Sequence, residues 1–237
     1  MLCLKSMTKQ TQLKIMMFCS MMMAAEVAES RCSDGIATTS MYFIPHIKDY
    51  CKGSTPCKKF KKEVKMQGSG TLPGNKLLTY TGKTISLGSC DTAFGASGNC
   101  LIPFISVAAD ADHYQMGDII EMPSLRGKIF TLPNGKHMVH PGYLIVHDTG
   151  GAIKGKGRFD FFTGSYAIDN WNNPFGLRGA KDVRMVDTGE CSLHKQYSVI
   201  RRETPNYESS LAAIENATRN ISTSAIEVMV AAVGGVR

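Results

Sequence analysis

Residues 147–162 read HDTGGAIKGKGRFDFF, and few folds accommodate such a stretch. An apolar run, YLIVHD at 143–148, ends on an aspartate. A glycine-rich turn follows, and a second aspartate, Asp160, sits inside the strand-like RFDFF. Asp148 thus comes at a strand end, where side chains face clefts. Gly150, Gly151, Gly155 and Gly157 let the backbone turn sharply and approach a ligand closely. Asp160 is expected to be harder to ionise than a free aspartate. Phe159, Phe161 and Phe162 would desolvate its charge and Asp148 would repel it, while Lys154 and Arg158 oppose both effects.

Around this stretch, short apolar or alternating runs recur between Gly, Pro, Asn and Asp punctuation: EVKMQG, KLLTYTG, TISLG, FISVAAD, DIIEMP, KIFTLP, DVRMVD and YSVIRR. Such spacing predicts an all-β domain, a barrel or sandwich. LPNGK at 132–136 reads as a hairpin turn, since Asn-Gly tolerates positive φ. Short helices are expected at Gly164–Asn172 and near Ser209–Arg219. The last fifteen or so residues read as peripheral.

The N-terminus reads as a signal peptide over 1–30. Lys5, Lys9 and Lys14 form a basic region, Leu13–Ala25 is apolar but too short to span a bilayer, and Ala28, Glu29 and Ser30 form a small-x-small cleavage site. An uncleaved anchor, or a lipoprotein linked through Cys19, ranks behind cleavage because Phe18 fits a lipobox poorly. A secreted, periplasmic or cell-envelope location follows, with membrane contact only during export. Removing residues 1–30 leaves Cys32, Cys51, Cys57, Cys90, Cys100 and Cys191, an even number that suits disulfides in an oxidising compartment. Cys51–Cys57 and Cys90–Cys100 are expected as local pairs, with Cys32–Cys191 tying the N-terminal extension. The domain boundaries are then 31–65 for that extension, 66–202 for the β domain and 203–237 for a C-terminal tail.

The formal charge of +7 falls to +6 when three lysines and two glutamates leave with the signal peptide. Lys58, Lys59, Lys61, Lys62 and Lys65 cluster in KKFKKEVK. An anionic partner would suit them, but a solvated edge protected by lysine is the simpler reading. No aromatic residues alternate with them as a nucleic-acid platform requires, so no nucleic-acid partner is expected. Asn216 and Asn220 begin glycosylation sequons, relevant only in a glycosylating host.

Other catalytic patterns fit less well. Asp-Thr-Gly occurs at 148–150 and again at 187–189, but the copies lie 39 positions apart, too close for a two-lobed aspartic protease. His113, His137, His140 and His147 lack metal-site spacing, because His137 and His140 would point to opposite faces of a strand. Hydrogen-bonded structural histidines are expected instead, with His147 turned away from Asp148. No metal and no cofactor are expected. There is no GxSxG elbow, and oxidised cysteines are poor nucleophiles.

VAAD followed by DHYQMG, then HDTGGAIKG, then RFDFFTG resembles the three-aspartate, or 3D, domain of membrane-bound lytic transglycosylases of the A type and their short secreted relatives. The resemblance runs over about 66–202. It implies a six-stranded double-psi β-barrel, here with a disulfide-stapled N-terminal extension and peripheral short helices. It also implies cleavage of the β-1,4 bond between N-acetylmuramic acid and N-acetylglucosamine in peptidoglycan, leaving a 1,6-anhydromuramoyl end. The three aspartates fall on Asp110, Asp148 and Asp160, with Asp160 as the catalytic acid. Asp112 competes with Asp110 for the first role, because the segment here reads HYQMG where the family has Ile-Pro-Leu-Gly. Thr149, Gly150, Gly151, Lys154 and Tyr80 are the expected substrate contacts. The partner is a peptidoglycan glycan strand and the protein a monomer. A wall-binding barrel without catalysis and a glycosidase using two aspartates are the alternatives.

Overall fold

In β10, Arg158–Ser165, alternate side chains are sent to two different cores. Phe159 and Phe161 enter the larger hydrophobic cluster, whereas Phe162 enters a second cluster on the opposite face. This is the period-two alternation of a strand buried on both sides. The computed structural model describes residues 35–165, 193–224 and 226–227. They fall within one unit, Cys32–Arg237.

Eleven strands and two α-helices are described. β1 (Thr38–Ile44), β10, β5 (Ser106–Ala109), β9 (Tyr143–Asp148), β6 (Ile119–Glu121) and β11 (Ser198–Ile200) form a six-stranded sheet in that spatial order. β1 runs parallel to β10 and β5 parallel to β9, while the other pairs are antiparallel. All four residues of β5 are buried, as befits a central strand. The strand-rich class with few helices is as expected. A closed barrel is not: the ladder ends at β1 and β11. One bridge, Ile36 to Gln196, joins the residues preceding those two strands, with Ala37 N–H on the Lys195 carbonyl at 2.9 Å.

A second sheet, β2 (Ser69–Leu72), β3 (Lys76–Thr79) and β4 (Thr84–Ser86), carries helix α1, Lys58–Gln67. EVKMQG is thus largely helical rather than a strand. Phe60 and Val64, four apart, form its buried stripe, and Gly68 at φ 92° stops it. The helix sits directly on β2, where a Cβ at Gly70 would come within 2.5 Å of Val64 and 2.6 Å of Phe60. Its five lysines are exposed, so the basic cluster is a solvated helix face, not a strand edge.

The LPNGK turn joins β7 (Ile129–Thr131) to β8 (His137–Val139), with Gly135 at φ 80°. The expected helix at 164–172 begins inside β10, which runs to Ser165, and its remainder lies outside the described residues, as does DVRMVD. Helix α2, Tyr207–Arg219, covers the helix expected near 209–219. It is anchored by buried Tyr207 and Ile214, and the Tyr207 hydroxyl donates to the Gly117 carbonyl at 2.9 Å. Disulfides Cys51–Cys57 and Cys90–Cys100 form as expected, and Cys32–Cys191 lies outside the described residues. Among the described residues no helix is long and apolar enough to cross a membrane.

Phe130 is buried in the larger cluster, with its ring centroid 5.2 Å from those of Phe104 and His140. Phe130→Ala should destabilise the fold by about 3–5 kcal/mol, read as a lower urea midpoint. A loss under about 1 kcal/mol would mean that the surrounding core collapses into the cavity.

Candidate active site

Ala108 on β5 is in register with Asp160 on one side and Asp148 on the other. Ser40 on β1 is in register with Asp160 on the far side. Ser40, Asp160, Ala108 and Asp148 therefore form one level across four adjacent strands. The Cα atoms of the two aspartates stand about 10 Å apart, two strand spacings, and between them lies only a methyl group. Ala108, Asp148 and Asp160 line a cleft of about 970 Å³.

Period-two alternation selects this level. Phe159 and Phe161, adjacent to Asp160 in the chain, face away into the larger core, and of the three phenylalanines only Phe162 shares the aspartate's side of the sheet. Arg158 shares that side too: its Nη2 donates to Ser40 Oγ at 2.7 Å, and Ser40 Oγ donates to Asp160 Oδ1 at 2.7 Å. Residues 31–65, set apart in sequence as an extension, thus supply β1 and with it Ser40.

β1 also supplies Tyr42, one pleat beyond Ser40. Its hydroxyl donates to Asp148 Oδ2 at 3.0 Å. Oδ1 of the same carboxylate accepts backbone N–H groups of Ala96 and Thr149, both at 2.9 Å. Burial raises the proton affinity of Asp148, and these three bonds work against that rise. Burial, then the charge of Asp148, hold the Tyr42 phenol well above its ordinary pKa. His147 is turned away as expected: its Nδ1 lies 2.9 Å from Ser106 Oγ, and burial depresses its pKa to about 4. His140 is likewise structural. Its Nδ1 accepts from Gly142 N–H, so Nε2 carries the proton and donates to the Phe104 carbonyl at 2.9 Å.

Asp110 lies apart from the cleft wall. Its buried carboxylate accepts the Gly155 N–H at 2.7 Å and the Lys154 ammonium at 3.0 Å, pinning the glycine-rich loop. The Gly155 amide, then Lys154, lower its pKa to about 2. Asp112, the alternative, is 81% exposed and 3.8 Å from Lys154. Lys154 borders the cleft, with its ammonium held on Asp110. Thr149, Gly150, Gly151 and Tyr80 line the cleft, and Tyr80 is 64% exposed on its rim. The second Asp-Thr-Gly copy lies outside the described residues.

Ser40, Tyr42 and the Gly95–Ala96 turn escaped sequence reasoning. TTSMYFI is not among the runs read as strands, and only the register with β10 sets Ser40 beside Asp160.

Residues 105–178, which include all three aspartates, match the model of the 3D domain family. Among curated proteins no relative matches. Among solved structures the chain is similar to MltA from E. coli with bound chitohexaose, at 16% identity and a TM-score of 0.37, covering 56% of this chain and 66% of that one. Two further E. coli MltA structures, one described as revealing a unique lytic transglycosylase fold, align at 16% identity and a TM-score of 0.33 with the same coverage. The chain therefore spans just under two thirds of the MltA chains it matches.

The folded pKa of Asp110 lies below its unfolded value near 4. Its contribution to stability is complete above that value and is lost as pH falls through about 2. Asp110→Asn should lower the thermal midpoint at neutral pH and flatten the acid limb between about pH 4 and 2. Thermal melts across pH test this, and parallel acid limbs for the two proteins would refute the anchoring role.

Proposed function

We propose that the chain is an exported lytic transglycosylase that cleaves the N-acetylmuramic acid to N-acetylglucosamine β-1,4 bond of peptidoglycan. The observation that supports this best is the level pair, Asp148 and Asp160, facing one cleft across Ala108 within a 3D domain. Protonated Asp160 donates to the glycosidic oxygen. The same carboxylate then accepts the proton of the muramoyl C6 hydroxyl as that oxygen attacks C1, so an anhydro ring closes without water. Asp148 has Oδ1 held by two backbone amides and Oδ2 by Tyr42. So tied, it suits a fixed charge that raises the proton affinity of Asp160 better than a second proton carrier.

Asp110 serves this site by holding the 149–157 loop, whose residues Thr149, Gly150 and Gly151 meet the glycan together with Tyr80 on the rim. Lys154, committed to Asp110, adds a positive field more than a free donor. The catalytic unit is 66–202 completed by β1. Residues 1–30 direct export and are removed, which agrees with disulfides that persist only in oxidising compartments. The mature protein acts as a monomer.

A two-aspartate glycosidase is the second reading, because a pair of carboxyl groups flanking one cleft also suits water-dependent cleavage. Product chemistry separates them. Mass spectrometry of purified peptidoglycan digested with the mature protein should show 1,6-anhydromuramoyl ends; water-added reducing ends would transfer the assignment to the hydrolase. Asp160→Asn should lower the rate by roughly 10²–10⁴-fold with the fold intact, since the amide keeps the shape but delivers no proton. Near-native turnover in that variant would move the acid elsewhere. Asp148→Asn should reduce the rate less and shift the pH profile to lower pH, because the charge that raises the proton affinity of Asp160 is gone. An unshifted profile would show the two carboxyl groups to be uncoupled.

A further inference from the structure

The Cys90–Cys100 bridge closes a loop between residues ten positions apart, and the tip of that loop rests on the end of β9. Three consecutive residues of the tip address two consecutive residues of the strand. Gly95 packs against His147 so closely that a Cβ would lie 2.2 Å from its carbonyl oxygen. Ala96 N–H donates to Asp148 Oδ1 at 2.9 Å, and Ser97 N–H donates to the His147 carbonyl at 3.0 Å. The loop is also folded on itself, with Gly95 N–H on the Asn99 carbonyl and a bridge between Phe94 and Cys100. Its base is held by Leu101 N–H on the Ala93 carbonyl and by the packing of Cys90 and Ala93, whereas its tip is mostly exposed. Asp91, Ala96, Gly98 and Asn99 are exposed, and Ala93 is the one buried residue of 91–99.

We infer that this disulfide-closed loop is the positioning element of Asp148: the bridge presents the Ala96 amide to the carboxylate, Gly95 permits the approach, and the carboxylate's charge state thereby depends on the disulfide. Titratable groups sharing the cleft with Asp148 are Tyr42 from β1, Lys65 from α1, Tyr80 beyond β3, Lys154 from the glycine-rich loop and Asp160 from β10. None lies on the 90–100 loop, and its own Asp91 is outside the cleft lining. The loop therefore acts on Asp148 through its amide, not through a charge. Reduction by a dithiol would transfer two electrons and two protons to the bridge, giving two cysteine thiols while the dithiol closes to its own disulfide. The amide would then be free to leave Asp148. Losing a donor to the ionised form raises the carboxyl pKa.

The test reads the carboxyl directly and so stands apart from the glycan-cleaving activity, although it builds on Asp148 as the cleft carboxylate. Carboxyl ¹³C resonances of aspartate-labelled protein are titrated, with Asp148 assigned by its loss in Asp148→Asn. The Cys90→Ser, Cys100→Ser double variant should raise the Asp148 midpoint by roughly one pH unit. Gly95→Ala, which keeps the bridge but lifts the loop off His147, should raise it similarly. Cys51→Ser with Cys57→Ser, away from the site, should leave it in place. Should the double cysteine variant fail to fold, Gly95→Ala decides alone. An unmoved Asp148 midpoint in folded Gly95→Ala, or an equal shift in the Cys51 and Cys57 control, would overturn the inference.

Discussion

Two aspartates set at one level of a sheet, with an alanine between them, create an electrostatic problem that much of the structure answers. Burial raises the proton affinity of Asp148, so keeping its charge there requires donors. Asp148 receives two backbone amides and a tyrosine hydroxyl, and Asp160 accepts the Ser40 hydroxyl, itself held by Arg158. Different donors around two chemically identical groups are how a site can separate them into different roles.

Supplying those donors requires segments far apart in the chain. β1 brings Ser40 and Tyr42 from more than a hundred positions upstream of Asp160 and Asp148. The 90–100 loop brings the Ala96 amide, and the start of the glycine-rich loop brings that of Thr149. Asp110 anchors the same glycine-rich loop at its other end through Gly155. A carboxylate outside the cleft thus governs the shape of the cleft wall. Its depressed pKa records how strongly the loop holds its charge.

What the chain made legible follows from the range of the interactions. Strand-end Asp148, the glycine turn, the Asn-Gly hairpin and the two local disulfides rest on neighbours within about ten positions, and all stand in the structure. The EVKMQG part of α1 was misread because Val64 and Met66, two apart across Lys65, mimic alternation. Its real period, four, is visible only once β2 offers Gly70 as a seat for both side chains. Ser40 and Tyr42 stayed hidden for the opposite reason. A serine and a tyrosine in an alternating run carry no chemical signal until the β1–β10 register sets them beside the aspartates. Of the aromatic surroundings inferred for Asp160 the pleat leaves only Phe162 on its side, since adjacent residues of a strand occupy different faces.

Part of the cleft lining comes from outside the 105–178 match. Lys65, Met66, Leu77, Tyr80 and Ile85, from α1 and the small β2–β3–β4 sheet, belong to it. Three of these, Met66, Tyr80 and Ile85, are exposed apolar or aromatic side chains. Their placement rests on the helix seated against Gly70, with Cys51–Cys57 bracing the turn that enters the helix. The 3D segment therefore supplies the carboxyl groups, and the remainder of the chain decides what reaches them. A change at Gly70 would act first on access, by lifting α1 off β2, and would reach the aspartate sheet only through the contacts β2 makes with it, Thr71 to Ser165 of β10 and Thr71 N–H to the Pro45 carbonyl.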